Sequence, residues 1–290
     1  MRRTSLLAGA GAALAMTLGA APGALAADAV FGGSTTDGEA IVLTADKAAK
    51  KLRSAVIAWS AKCGDGKYLP WATEVTPASA SPGFSPAGRD LLMSRNRKGR
   101  FAGKQVLGLN FGELSAAVKV TMDGQLRAKG ASGTLSAQAT IIDSTTGTIQ
   151  TTCRTGRLRW KASRAPGHIY GGRTSQDEPI VAKLDARRKR VTDVLVSWSS
   201  PCSPEGSLRF SEALRNFPAA STGRFGNTWD ETFKVVPDGG SRRFDYSLTG
   251  KLGRRSARGT FRVAVAETDA AGATRATCDT GGITWKATTG

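Results

Sequence analysis

The chain has 290 residues, with 41 Lys and Arg against 23 Asp and Glu for a formal charge of +18, four cysteines and one histidine, His168. A single histidine and the lack of any Cys-x-x-Cys exclude a zinc centre and the usual Ser-His-Asp or Cys-His machinery. The positive charge favours polyanionic partners, although without a recognition helix or zinc finger specific reading of DNA is not expected.

Met1 to Ala26 reads as a secretory leader: Arg2 and Arg3 supply the charged start, Leu6 to Leu18 is rich in Ala and Leu, and Ala24-Leu25-Ala26 places small residues at the cleavage site. Arg2-Arg3 is followed by Ser5 where a twin-arginine signal has an apolar residue, so general secretion is expected. Losing the two arginines takes the charge from +18 to +16. No cysteine near the cleavage site could carry a lipid, and no later run of ~18 apolar residues could cross a bilayer as a helix. The expected location is secreted, extracellular or cell-wall associated.

From residue 27 onward one set of landmarks occurs twice. Trp59-x-x-x-Cys63 returns as Trp198-x-x-x-Cys202, and Cys153-x-Thr155-Gly156 with Trp160-Lys161-Ala162 returns as Cys278-x-Thr280-Gly281 with Trp285-Lys286-Ala287. Phe31-Gly32-Gly33 likewise matches Tyr170-Gly171-Gly172, and Gly99-Arg100-Phe101 matches Gly223-Arg224-Phe225. Two homologous modules are therefore expected, 27–162 and 170–290, joined by a link at 163–169. Four cysteines allow three connectivities, and the repeat selects Cys63 with Cys153 and Cys202 with Cys278, one disulfide inside each module.

Within each module apolar residues recur at every second position, as in Ala55-x-Ile57-x-Trp59 and Val194-x-Val196-x-Trp198, the signature of half-buried strands. The fold class is all-β: two tandem antiparallel β-sandwich or β-barrel modules, each of eight or nine short strands. Asp123-Gly124 and Asp238-Gly239 are expected to close hairpins. Arg89 to Arg95 and Phe210 to Asn216 allow at most a turn or two of helix. The paired cysteines are 90 residues apart in the first copy and 76 in the second. The extra length falls at Tyr68 to Gly88, where four prolines predict an irregular surface loop.

The aromatic-Gly-Gly-x-Thr opening, the Trp-x-x-x-Cys and the Cys-x-Thr-Gly with its closing Trp-x-Ala resemble a group of uncharacterised secreted proteins of high-GC Gram-positive bacteria. That resemblance implies a secreted β module and carries no activity.

The recurring polar feature is basic. Lys47, Lys50, Lys51 and Arg53 lie between the first two long apolar stretches of copy one, and Arg187, Arg188, Lys189 and Arg190 hold the same place in copy two. They are the candidates for binding a phosphate or carboxylate polymer. Trp71 and Trp229 fall outside the repeated landmarks and are candidates for carbohydrate contact. Among carboxylates, Asp46 with Asp185 and Asp143 with Asp269 recur beside turns and are read as turn-formers, whereas Asp230-Glu231 is a marginal catalytic candidate. The glycines form no phosphate loop, and no cofactor, nucleotide or metal is implied. The expected function is a non-enzymatic binding or structural module for anionic cell-wall polymer or acidic polysaccharide. The alternatives are a carboxylate-dependent hydrolase and a protease inhibitor acting through the loop at 68–88.

Overall fold

The computed structural model describes residues 28–77, 90–111, 114–204, 206–234 and 239–289, and within them every regular element is a strand. The first module contains β1 (Ala29–Thr35), β2 (Ala40–Ala45), β3 (Leu52–Cys63), β4 (Tyr68–Pro77), β5 (Asp90–Arg97), β6 (Arg100–Phe111), β7 (Leu114–Arg127), β8 (Gly130–Asp143), β9 (Ile149–Arg154) and β10 (Leu158–Ser163). The second contains β11 (Ile169–Thr174), β12 (Pro179–Leu184), β13 (Arg190–Ser203), β14 (Ser207–Pro218), β15 (Arg224–Lys234), β16 (Ser241–Leu252), β17 (Ser256–Thr268), β18 (Thr274–Asp279) and β19 (Ile283–Thr288).

Of the two architectures that alternation allows, the structure adopts the barrel. In the first module β1, β2, β3, β9, β8 and β10 close on themselves, and β12, β13, β18, β17, β19 and β11 do the same in the second. A longer circuit runs outside each ring. In the first barrel it is continuous, because β4, β5, β6 and β7 complete the way from β3 to β8. In the second it is interrupted: among the described residues β14 pairs only with β13 and β15 only with β16.

Each disulfide joins directly opposed residues of a ladder. Cys63 faces Cys153 across β3 and β9, and Cys202 faces Cys278 across β13 and β18, with no free cysteine remaining. Disulfides persist in oxidising compartments, which is where such a chain matures.

Burial follows the alternation. Ala55, Ile57, Trp59 and Ala61 point into the first barrel with Val118, Val120, Met122, Leu135 and Ala137, and Val194, Val196 and Trp198 point into the second with Phe244, Tyr246 and Leu248. Asp123-Gly124 lies inside β7 and closes no hairpin. A Cβ on Gly124 would stand 2.4 Å from the Phe101 ring and 2.5 Å from the Trp160 indole, so the glycine makes room for aromatic packing in mid-strand. Gly250 does the same beneath Phe225 and Trp285. Gly239 does lie in the connection from β15 to β16, where Lys234 pairs with Ser241, while Asp238 is outside the described residues.

Two further expectations are corrected. Tyr68–Pro77, expected as irregular loop, forms β4 and pairs with β3, Trp71 standing opposite Trp59; the rest of that expected loop, 78–88, lies outside the described residues. Of the two short helical candidates, residues 90–95 of the first lie in β5, with Arg89 outside the described residues, and the second lies in β14. Backbone pairing with a neighbouring strand outweighs a weak local helical preference there.

The barrels pack through β1 and β2 against β11 and β12. Val30, Ala40 and Val42 meet Val181 and Leu195, with Ile169 against them. The contact is reciprocal about the glycines: a Cβ on Gly32 would lie 2.7 Å from Val181, and one on the matching Gly171 would lie 2.9 Å from Val42 and 3.0 Å from Val30. Arg173 of the second barrel donates to both carboxylate oxygens of Glu74 of the first, at 2.5 and 3.3 Å. The Arg209 guanidinium lies 5.1 Å from the Trp71 ring centre, a cation–π contact across the interface.

Candidate polyanion face

Because hairpin turns alternate between the two ends of a barrel, the strand order dictates which turns share an end. The turns at 46–51, 97–100 and 127–130 meet at one end of the first barrel, and those at 185–190, 219–223 and 252–256 meet at the matching end of the second. Residues 164–168 run between these two ends, from β10 to β11. A segment of that length spans at most about 20 Å, and the hydrogen bonds from the His168 and Ile169 amides to the Ala165 carbonyl, both 2.9 Å, shorten it. The two ends are therefore neighbours and form one face.

This face is cationic. Its first half carries Lys47, Lys50 and Lys51 on one turn, Arg97, Lys98 and Arg100 on the next, and Arg127 and Lys129 on the third. Its second half carries Arg187, Arg188, Lys189 and Arg190, then Arg224, then Arg254 and Arg255. All of these are exposed, as is Arg53 at the start of β3. The only carboxylates on the turns are Asp46 and Asp185, and both are used by the backbone. Asp46 Oδ1 accepts from the amides of Lys50 and Lys51 at 2.6 and 3.0 Å, and Asp185 Oδ1 from those of Lys189 and Arg190 at 2.8 and 3.2 Å. Burial is the largest single influence on the Asp46 carboxyl and raises its pKa, but the Lys51 and Lys50 amides and the Arg53 and Lys50 charges together outweigh it and hold the carboxyl below its ordinary value. The recurring Asp is thus a turn-former, as its position beside a turn predicts.

The turns are tied to one another. In the first barrel the Gly99 amide donates to the Lys50 carbonyl at 2.8 Å, the Leu126 amide to Gly99 at 2.6 Å, and the Arg164 amide to Lys129 at 3.0 Å. In the second the Ala219 amide donates to Lys189 and the Leu252 amide to Gly223, both at 2.9 Å. Ala49 and Arg188, equivalent residues of the two modules, both adopt positive φ, 53° and 58°. Arg188 is anchored from below: its Nη2 donates to Tyr170 Oη at 2.8 Å and to the Gly253 carbonyl at 3.0 Å. It therefore serves the fold as well as the charge of the face. A groove of about 520 Å³ opens between Arg187, Lys189, Arg254 and the Ala219–Gly223 turn. His168 belongs to the same scaffold, with Nδ1 3.1 Å from the Asp185 carbonyl.

Carboxylates gather at the opposite end, with Asp37, Glu39, Asp65, Asp143, Asp177, Glu178 and Asp269 in or beside its turns and Lys67 among them, while Lys234, Arg242 and Arg275 stand on the adjoining strand ends; Asp279 lies at mid-barrel, where β18 passes to β19. Several have local work: Asp143 Oδ1 accepts from the amides of Thr145 and Thr146, and Asp269 Oδ1 from those of Ala271 and Ala273, all at 2.9 Å. Glu178 pairs with Arg209, and Arg262 holds Asp279.

The remaining candidates do not join the cationic face. Trp71 is half-buried against the first core at the interface between barrels, and Trp229 is half-buried with its ring stacked on Tyr246 at 4.9 Å. Asp230 faces outward, 3.8 Å from Arg243, which also holds Asp245 at 2.9 Å. Glu231 takes the other side of β15 and acts electrostatically on Glu212, a residue the sequence reading passed over. Glu212 stands at an inward position of β14 between Phe210 and Leu214, and a charge in that alternation was the available signal. Its carboxyl accepts from Tyr246 Oη at 2.9 Å. Burial pushes its pKa up to about 7; the Tyr246 hydrogen bond opposes the rise, and Glu231 and Glu39 add to it. Among the described residues no group of three or more His, Cys, Asp or Glu is placed to hold a metal ion.

No protein-family model matches the chain, and no curated protein matches it. Among solved structures it aligns with a protein of Nitrosomonas europaea whose assignment as AttH is provisional, at 11% identity over 89% of this chain and 90% of that one, with a TM-score of 0.19. A likeness at that level carries no argument about function.

Proposed function

We propose that the protein is an exported, non-enzymatic binding module that docks end-on to an anionic polymer of the cell envelope or its surroundings. In this reading Met1 to Ala26 is removed on secretion and the tandem barrels act at or beyond the cell surface. The observation that carries the reading is the segregation of charge by barrel end: Lys and Arg crowd the turns of one end of both modules, and carboxylates those of the other. A field of this shape orients an approaching polyanion before contact. Two adjacent cationic ends on a short link then raise the effective concentration of the second contact once the first is made. The hydrogen bonds between turns hold the turn backbones in place, so the ordering left for binding is that of the side chains alone.

The test is retention on purified cell wall or a soluble teichoic-type polyphosphate across a salt series. Retention should fall steeply with ionic strength. It should fall at least tenfold when Lys50, Lys51, Arg187 and Arg190 are changed together to Glu, with Arg188 left intact because it anchors the fold. Retention that ignores both salt and these substitutions would retire the reading.

A further inference from the structure

The interruption in the second barrel has a shape the first barrel explains. The pairing of Trp59 with Trp71 and of Trp198 with Phe210 makes β4 and β14 equivalent, and the Gly-Arg-Phe that opens both β6 and β15 makes those equivalent. Between β4 and β6 the first barrel places β5, parallel to β4 from Glu74–Asp90 to Pro77–Met93 and antiparallel to β6 from Met93–Gly103 to Arg97–Arg100. No described strand fills the equivalent place. β14 and β15 therefore leave the turn at 219–223 with facing backbone edges that pair with nothing among the described residues.

The side chains along this seam also differ between modules. From β14 come Phe210 and Glu212, and from β15 come Trp229, Glu231 and Phe233. Phe210 and Phe233 are 36% and 53% exposed, and both meet the buried Phe244 ring edge-on, at 86° and 83°. Thr73 takes the place of Glu212 in the first barrel, where it is fully buried and accepts from the Trp59 indole at 2.8 Å. In a chain of net charge +18 the seam thus presents two carboxylates among exposed aromatic rings.

We propose that the seam between β14 and β15 takes up an extended peptide, paired to both edges as β5 is paired in the first barrel, with a basic side chain at the inward position between Glu212 and Glu231 and apolar side chains at the inward positions that follow. Unpaired strand edges are templates for an added strand. Alternation along that strand turns every second side chain toward Glu212 and Glu231 and their aromatic neighbours. This site is independent of the cationic face and stands or falls separately from it.

The probe is a synthetic peptide of residues 89–98, the segment that includes β5; extending the β5 register to the second barrel sets its Arg89 opposite both Glu212 and Glu231, while Arg95 and Arg97 take the outward side. It is titrated into the full-length protein at about 0.15 M salt, where surface charge is screened within ~8 Å. Calorimetry should show saturable binding, and hydrogen exchange should show new amide protection in β14 and β15. Binding should weaken at least tenfold in Glu212→Gln/Glu231→Gln and in Phe233→Ala, an exposed position whose loss spares the core, and should persist in the cationic-face variant. A peptide N-methylated at alternate amides should not bind. The proposal is overturned by no saturable binding, by protection in β4 and β6 instead, by equal binding of the N-methylated peptide, or by a concentration-dependent dimer that buries the seam.

Discussion

Glu212 shows how a single inward carboxyl couples this fold to pH. Its folded-state pKa of about 7 lies above the ordinary 4.5, so the folded chain holds the proton more tightly than the unfolded one. Stability from this group is full below about pH 4.5 and is lost as pH rises through about 7, a decline of roughly 3 kcal/mol. The charged groups facing it are Glu231 and Glu39, with Tyr246 as hydrogen-bond donor. Denaturant midpoints from pH 4.5 to 8 should fall in the parent and lose most of that slope in Glu212→Gln; equal slopes would mean that the carboxyl is solvated. Gly171 makes a different demand, for space. In Gly171→Ala the new methyl meets Val42, Val30 and their barrel, and overpacking of this kind costs about 1–3 kcal/mol. Gly32→Ala meets Val181 in the same way, and thermal melts of the two variants should shift downward by similar amounts.

Among elements, β3 and β13 were legible because Trp and Cys stand four residues apart at the end of an apolar alternation, which puts both on one strand face. The cysteine pairs were legible because the repeat assigns each to its own module. The loss of either should be severe: removing the constraint on a closed loop of 90 or 76 residues costs about 4–5 kcal/mol in the chain-entropy model. Paired Cys63→Ser/Cys153→Ser substitution should lower the unfolding midpoint of the first barrel alone, if each barrel is held by its own bridge. What alternation could not supply was pairing between distant segments. β5 gains its strand state from β4 and β6, and the prolines just before it hid β4, where Pro70 and Pro77 stand. Asp123-Gly124 misled for a packing reason: a local signal for a turn was a notch for the Trp160 and Phe101 rings. The Asp pairs beside turns behaved as their chemistry dictates, and Glu212 went unnoticed although its position between Phe210 and Leu214 marked it.

At the scale of the whole molecule, the antiparallel order converts a one-dimensional charge pattern into a three-dimensional one. Basic residues in every second turn gather at one end of each barrel, acids in the intervening turns gather at the other, and the short link sets the two cationic ends side by side. The duplicated basic clusters were visible in the sequence, but their convergence with the turns at 97–100, 127–130 and 252–256 depends on strand order and could not be counted from spacing. The account's central claim is that this face meets the polyanion, and lysine-acetylation footprinting of the full chain, with and without a teichoic-type polyphosphate, tests it most directly. Lys47, Lys50, Lys51, Lys98, Lys129 and Lys189 should be protected together, while Lys62, Lys67, Lys161 and Lys286 stay as reactive as in the free protein. Uniform protection of all lysines, or protection confined to the second set, would contradict the account.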